Sequence, residues 1–175
     1  GYRRGGIGRA AVMDVREGWT PLSELHFNEE LYTVGVAGNP EWDAPVLRVS
    51  YTSFIQPAQL FDYRVATGEY TLLKEQEVPG GYDKDEYVAY RVWSEAPDGT
   101  KVPVSIVHRA DLDRTQPNPT LLYGYGSYEA NMDPYFSVFR LSLMDRGMIF
   151  AMAHVRGGGE MGRNWHETGR MMATK

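Results

Sequence analysis

The sequence has 175 residues, 18 Lys and Arg against 23 Asp and Glu, a formal charge of -5 and no cysteine. That length carries one domain or parts of two and buries a core, while the lack of cysteine excludes a disulfide scaffold, a thiolate zinc site and a cysteine nucleophile. The acidic balance argues against nucleic-acid or anionic-membrane partners, which need a basic face, and no apolar run approaches the roughly 20 residues that span a bilayer.

The first ten residues do not read as a signal peptide, because no apolar stretch follows them; a cytoplasmic location is the expectation. The chain then reads as short antiparallel strands. Leu31–Val36 and Val46–Tyr51 are β-branched and aromatic runs bounded by turn residues. Leu60–Val65 and Tyr70–Leu73 flank Ala66-Thr-Gly-Glu69, a hairpin with Gly68 where a positive φ is needed. Such spacing suits a sandwich, a barrel or a propeller blade. Val78-Pro-Gly-Gly-Tyr-Asp83 breaks any regular element and marks a boundary. Beyond it, Glu86–Trp93 and Val102–His108 flank the turn Ala96-Pro-Asp-Gly-Thr100. Pro103 lacks an N–H and so suggests an edge strand.

The pattern then changes. Thr120–Tyr123 is a strand ending in Gly124-Tyr-Gly126. Apolar residues at 136, 139, 143 and 144 predict a helix over Tyr135–Met144, with Asp133 as cap, Pro134 in the first turn and Gly147 after its end. Met148–Val155 is nearly all apolar, as a strand buried on both faces would be. Strand, helix, strand predicts a βαβ unit. Arg156-Gly-Gly-Gly-Glu160 follows at the carboxyl end of that strand, where open α/β sheets place their sites. The chain reads as an internal piece of a two-domain protein.

The chemistry-bearing motifs are few. No Gly-x-Ser-x-Gly elbow exists: around Ser127, Tyr125 and Glu129 stand where the glycines belong. Ser105 lies inside a strand pattern. His26, His108, His154 and His166 show no metal-ligand spacing, and His154 reads as a hydrogen-bonded core histidine. Gly157–Gly159 lacks the Lys of a phosphate loop, so neither metal nor cofactor is expected. Tyr125, flanked by glycines at a strand end, has two readings. It is a packed aromatic at a turn, or a phenol donating to an oxyanion.

Three ordered motifs carry a resemblance: Thr120–Tyr128, Arg140–Gly147 and Ala153–Trp165. They resemble the prolyl oligopeptidase family of serine peptidases, and within it the oligopeptidase B subfamily. The resemblance implies mixed β and α/β structure: the last blades of a β-propeller over residues 1–76, then the first part of an α/β-hydrolase domain over 77–175. It implies a serine endopeptidase acting on short peptides after Arg or Lys, with no cofactor. The family's Ser-Asp-His triad falls on no residue of this chain. Tyr125 matches the tyrosine whose hydroxyl joins the oxyanion hole, and Tyr128 an aromatic of the primary specificity pocket. Arg156 and Glu160 match a family motif without a catalytic role. Two alternatives stay open, a prolyl-specific peptidase of the same family and a non-catalytic β-rich binding module. The latter requires a buried Tyr125 and a glycine loop that faces no cleft. Natural substrate and oligomeric state are not readable.

Overall fold

The computed structural model describes residues 1–15, 18 and 20–173. The chain divides into two compact units, Gly1–Pro79 with Pro134–Phe136, and Gly80–Asp133 with Ser137–Lys175.

The first unit is antiparallel throughout. β1 (Tyr2–Arg4) pairs with β2 (Ile7–Arg9), and β3 (Ala11–Asp14) with β4 (Thr20–Glu24). β5 (Tyr32–Val36), β6 (Val46–Ser53), β7 (Gln59–Arg64) and β8 (Glu69–Glu75) form a four-stranded meander in that order. Alternation sets the faces. On β6, Val49, Tyr51 and Ser53 are buried while Arg48 and Ser50 are exposed. Arg48 instead pairs across the strands with Asp62 at 3.1 Å. The core joins Ala10, Leu25, Val49 and Tyr63, with Phe27, Val34, Leu47 and Tyr70 packed around them. Phe27 stacks on Tyr51 with ring centroids 4.0 Å apart. The β7–β8 turn closes as the sequence predicts, with Gly68 at φ +75° and its N–H on the Arg64 carbonyl at 2.8 Å.

The second unit holds a mixed sheet. After a 3-10 turn at Lys84–Glu86 come β9 (Tyr87–Glu95), β10 (Lys101–Arg109), β11 (Thr120–Gly124), helix α1 (Val138–Met144), β12 (Ile149–Ala153) and helix α2 (Arg163–Glu167). The order is β11-β12-β10-β9. β9 and β10 form the expected hairpin, β10 and β12 are antiparallel, and β11 and β12 are parallel as a βαβ unit requires. Helix α1 packs on β12 through buried Leu141 and Met144, and the Arg140 guanidinium lies 4.3 Å from the Phe150 ring centroid.

Two local expectations are corrected. The helix begins at Val138, with Ser137 as cap, not at Pro134. Pro134–Phe136 is committed to the first unit: Thr33 Oγ1 donates to the Pro134 carbonyl at 2.6 Å, and the Phe136 N–H donates to Thr52 Oγ1 at 3.3 Å. Those groups cannot also serve a helical first turn. Pro103, for its part, lies on an interior strand. The His154 N–H donates to the Pro103 carbonyl at 2.9 Å, and a ladder would return an N–H from residue 103 to the His154 carbonyl. Proline has none. Trp165 Nε1 donates to that carbonyl instead, at 3.2 Å, and to the Val155 carbonyl at 3.1 Å. A side chain thus satisfies the acceptor that the proline leaves open.

Candidate active site

Two loops leave the carboxyl ends of the parallel pair, one from β11 at Tyr125 and one from β12 at His154. They are locked together by contacts that only glycine permits. A Cβ on Gly126 would stand 2.5 Å from Val155 Cγ2 and 2.7 Å from the Arg156 carbonyl oxygen. Gly157 has φ +96°, and a Cβ there would overlap the Gly126 carbonyl. The Glu129 N–H donates to the Gly157 carbonyl at 3.1 Å, and the Ala130 N–H to the Ser127 carbonyl at 3.0 Å. Between these bonds Tyr128 and Glu129 adopt φ +55° and +57°, a left-handed conformation unusual for two successive side-chain-bearing residues. Each such residue costs roughly 1–3 kcal/mol and persists only where its surroundings over-determine it.

The predicted site residues share this loop. Tyr125 is 48% exposed, and its hydroxyl makes no hydrogen bond within the described residues. Tyr128 is 89% exposed and lines a cleft of roughly 580 Å³ together with Gly126, Ser127, Glu129, Gly157, His166 and Arg170. Tyr125 is not part of that lining.

His166 is a cleft residue that sequence reasoning did not select. Its Nδ1 stands 2.7 Å from the Gly157 carbonyl oxygen. A carbonyl only accepts, so Nδ1 carries a proton and donates it. Its position follows from close packing of the next segment: the Gly157 N–H donates to the Trp165 carbonyl at 2.9 Å, and Gly169 lies directly against the Arg156–Gly157 backbone. The available signal was the set of glycines at 157 and 169 on either side of the Trp165–His166 pair.

Beneath the loops lies a buried polar row. Ser105, His154 and Glu160 are 0%, 2% and 3% exposed. Ser105 Oγ and His154 Nε2 share a hydrogen bond of 2.8 Å. His154 Nδ1 is 3.8 Å from Glu160 Oε1, beyond hydrogen-bond reach. Glu160 Oε1 accepts the Met132 N–H at 2.9 Å. Burial pushes the Glu160 carboxyl up. The His154 ring, the Met132 N–H and its own N–H outweigh this and hold it below its ordinary value. The order Ser, His, Glu mimics a nucleophile, base and acid, but Ser105 is sealed in the middle of β10 and reaches no cleft.

Arg156 points to the β9–β10 turn. It donates to Asp98 Oδ2 at 2.6 Å and to Thr100 Oγ1 at 3.4 Å. The Thr100 hydroxyl, the Thr100 N–H and then Arg156 hold the Asp98 carboxyl down to about 2. A depressed carboxylate contributes stability that is fully present above its unfolded value near 3.9 and is lost as pH falls through its folded value. A carboxyl-resolved NMR titration is therefore expected to place the Asp98 midpoint near 2, and Arg156→Gln is expected to move it upward. An Asp98 midpoint at the ordinary value in the unsubstituted protein would remove this link.

Among the described residues, no group of three or more His, Asp or Glu side chains could hold a metal ion, and no helix is long and apolar enough to cross a membrane.

Comparison with known proteins gives concordant matches. A family profile described as "Prolyl oligopeptidase, N-terminal beta-propeller domain" matches residues 1–76, and one described as "Prolyl oligopeptidase family" matches residues 134–175. The chain is 49% identical over 145 residues to dipeptidyl aminopeptidase BI of Pseudoxanthomonas mexicana, covering 82% of this chain and 20% of that protein. It is 38% identical over 150 residues to protease 2 of Moraxella lacunata, covering 86% and 22%. The solved structure of oligopeptidase B from Leishmania major superposes with a TM-score of 0.86 at 41% identity, over 98% of this chain and 25% of that one. The chain thus spans about one fifth of the length of these curated relatives.

Proposed function

The chain belongs to the prolyl oligopeptidase family of serine peptidases, its first unit the end of a β-propeller and its second the start of an α/β-hydrolase domain, and from that premise we propose that the complete protein is a serine endopeptidase that cuts short peptides after Arg or Lys. The propeller ends at residue 76 and the peptidase domain begins at 77. The substrates are peptides in the cytoplasm, without nucleic-acid or membrane partners.

The reading rests on one observation. The Tyr125 hydroxyl is free at the carboxyl end of a parallel strand, on a loop locked by glycine contacts. When a serine oxygen adds to a peptide carbonyl, the C=O π pair moves onto oxygen as a negative charge. A phenol O–H already in place strengthens its bond as that charge grows, so it favours the transition state over the ground state. The amine then leaves with a proton, and water releases the acyl group. Tyr128, held outward on the strained turn, lines the pocket for the side chain on the acyl side of the scissile bond. A non-catalytic module would need Tyr125 buried and the glycine loop away from any cleft, and neither holds.

The 49% identity to a protein named dipeptidyl aminopeptidase favours a second reading, removal of dipeptides from a free N-terminus. A panel of fluorogenic peptides with internal Arg, Lys or Pro, or with a free N-terminal dipeptide, separates the readings. The complete protein is expected to cut internally after Arg and Lys. Cleavage after Pro alone, or release of dipeptides alone, would replace this specificity. The 175-residue chain by itself is expected to hydrolyse none of them, since it contains no nucleophile elbow. Turnover by that chain that survives serine-directed inhibitors would contradict the proposal.

A further inference from the structure

The buried Glu160 has no part in the chemistry just proposed. A carboxylate out of water is costly unless its partners compensate it. Here they are unequally distributed. On one side lies the sheet, where His154, bonded to Ser105 within β10, comes no nearer than 3.8 Å and makes no hydrogen bond to the carboxylate. On the other lies the loop that carries Tyr125 and Tyr128, reached by a single bond from the Met132 N–H to Glu160 Oε1 at 2.9 Å. The glycine segment between them leaves no slack. A Cβ on Gly158 would overlap Glu160 Oε2, and one on Gly159 would stand 2.7 Å from the Glu129 carbonyl oxygen and 2.9 Å from Asn131 Oδ1. The Tyr125 loop is therefore pinned at its start by Gly126, in its middle by the Glu129 N–H bond to Gly157, and near its end by Glu160.

We infer that Glu160 is a positioning residue: its Oε1 holds the loop at Met132 and so sets where the Tyr125 hydroxyl stands. This rests on the reading of Tyr125 as the oxyanion donor. The anchor is the acceptor oxygen that meets the Met132 N–H at 2.9 Å. The same bond could be made by a neutral acceptor of equal reach but not by a charged one of shorter reach, and this asymmetry makes the inference testable.

In the complete protein, Glu160→Gln keeps an acceptor oxygen within reach of Met132 and loses the charge. Glu160→Asp keeps the charge and loses the reach. With an Arg-containing fluorogenic peptide, Glu160→Gln is expected to stay within about threefold of wild-type kcat. Glu160→Asp is expected to lower kcat by about 10–100-fold with KM little changed, as small misplacements of a catalytic group do. In a Tyr125→Phe background, Glu160→Asp is expected to add less than about threefold, because coupled sites are not additive. Additive losses, or a Gln variant as impaired as the Asp variant, would overturn the inference. Hydrogen exchange of the 126–133 segment supplies a readout independent of turnover: it is expected to quicken in Glu160→Asp and not in Glu160→Gln. Unchanged exchange in Glu160→Asp overturns the inference. Quickened exchange alongside wild-type turnover of Tyr125→Phe upholds the clamp and overturns the oxyanion role instead.

Discussion

Replacing Tyr125 with phenylalanine in the complete protein is expected to lower kcat by on the order of 10²–10³, or about 3–4 kcal/mol in the barrier. The substitution keeps the ring and the glycine-flanked turn and deletes one hydroxyl. That hydroxyl makes no internal hydrogen bond among the described residues, so its loss leaves no partner unsatisfied. KM is expected to change little, because the donor acts mainly after the ground state. The folded state is expected to lose almost nothing, since Tyr125 is half exposed. A packed aromatic would behave the other way, with wild-type turnover and a lowered melting temperature. Steady-state kinetics and a thermal melt on the same preparation distinguish the two.

Gly157→Ala is expected to have the largest structural effect of any single methyl addition near the site. Its φ of +96° is strained for any side chain, and the added Cβ would overlap backbone rather than a movable side-chain tip. The strain contributes about 1–3 kcal/mol and relief of the overlap about 1–3 kcal/mol more, together a large part of an ordinary domain's stability. Gly68→Ala provides the control. It has a comparable φ of +75°, but its nearest neighbour to a Cβ would be the Tyr63 hydroxyl at 3.9 Å. Backbone strain alone is expected there, about 1 kcal/mol. Urea unfolding of both variants in the complete protein checks this: equal losses would show that the Gly126–Gly157 contact does not hold the two loops.

What could be read from the sequence was local. Gly68 and the Asp98-Gly99 turn announced their hairpins, since a positive φ at a turn is a property of a few adjacent residues. The apolar run from Met148 announced a buried strand, and Phe150, Ala151 and Met152 are buried. The helix start was misread because the competing partners, Thr33 and Thr52, are 101 and 84 residues away along the chain from Pro134 and Phe136. Asp133 and Pro134 carry a genuine start signal that distant hydrogen bonds override. Pro103 was misread because its compensation comes from an indole in another loop. Glu160 matched a recognised motif, yet its work depends on meeting Met132 across 28 residues, which no spacing rule encodes. His166 likewise enters the cleft only because loops pack on loops.

Covalent trapping tests Tyr125 as the donor of a serine peptidase's oxyanion hole without reference to substrate preference. A fluorophosphonate reacts with an activated serine to give a tetrahedral adduct whose oxygen occupies the oxyanion position. The complete protein is expected to label rapidly at a single serine, and Tyr125→Phe to label slower by about 10²-fold, the lower end of the loss expected for one missing donor. No labelling of the complete protein, or equal labelling rates for the two, would contradict the account.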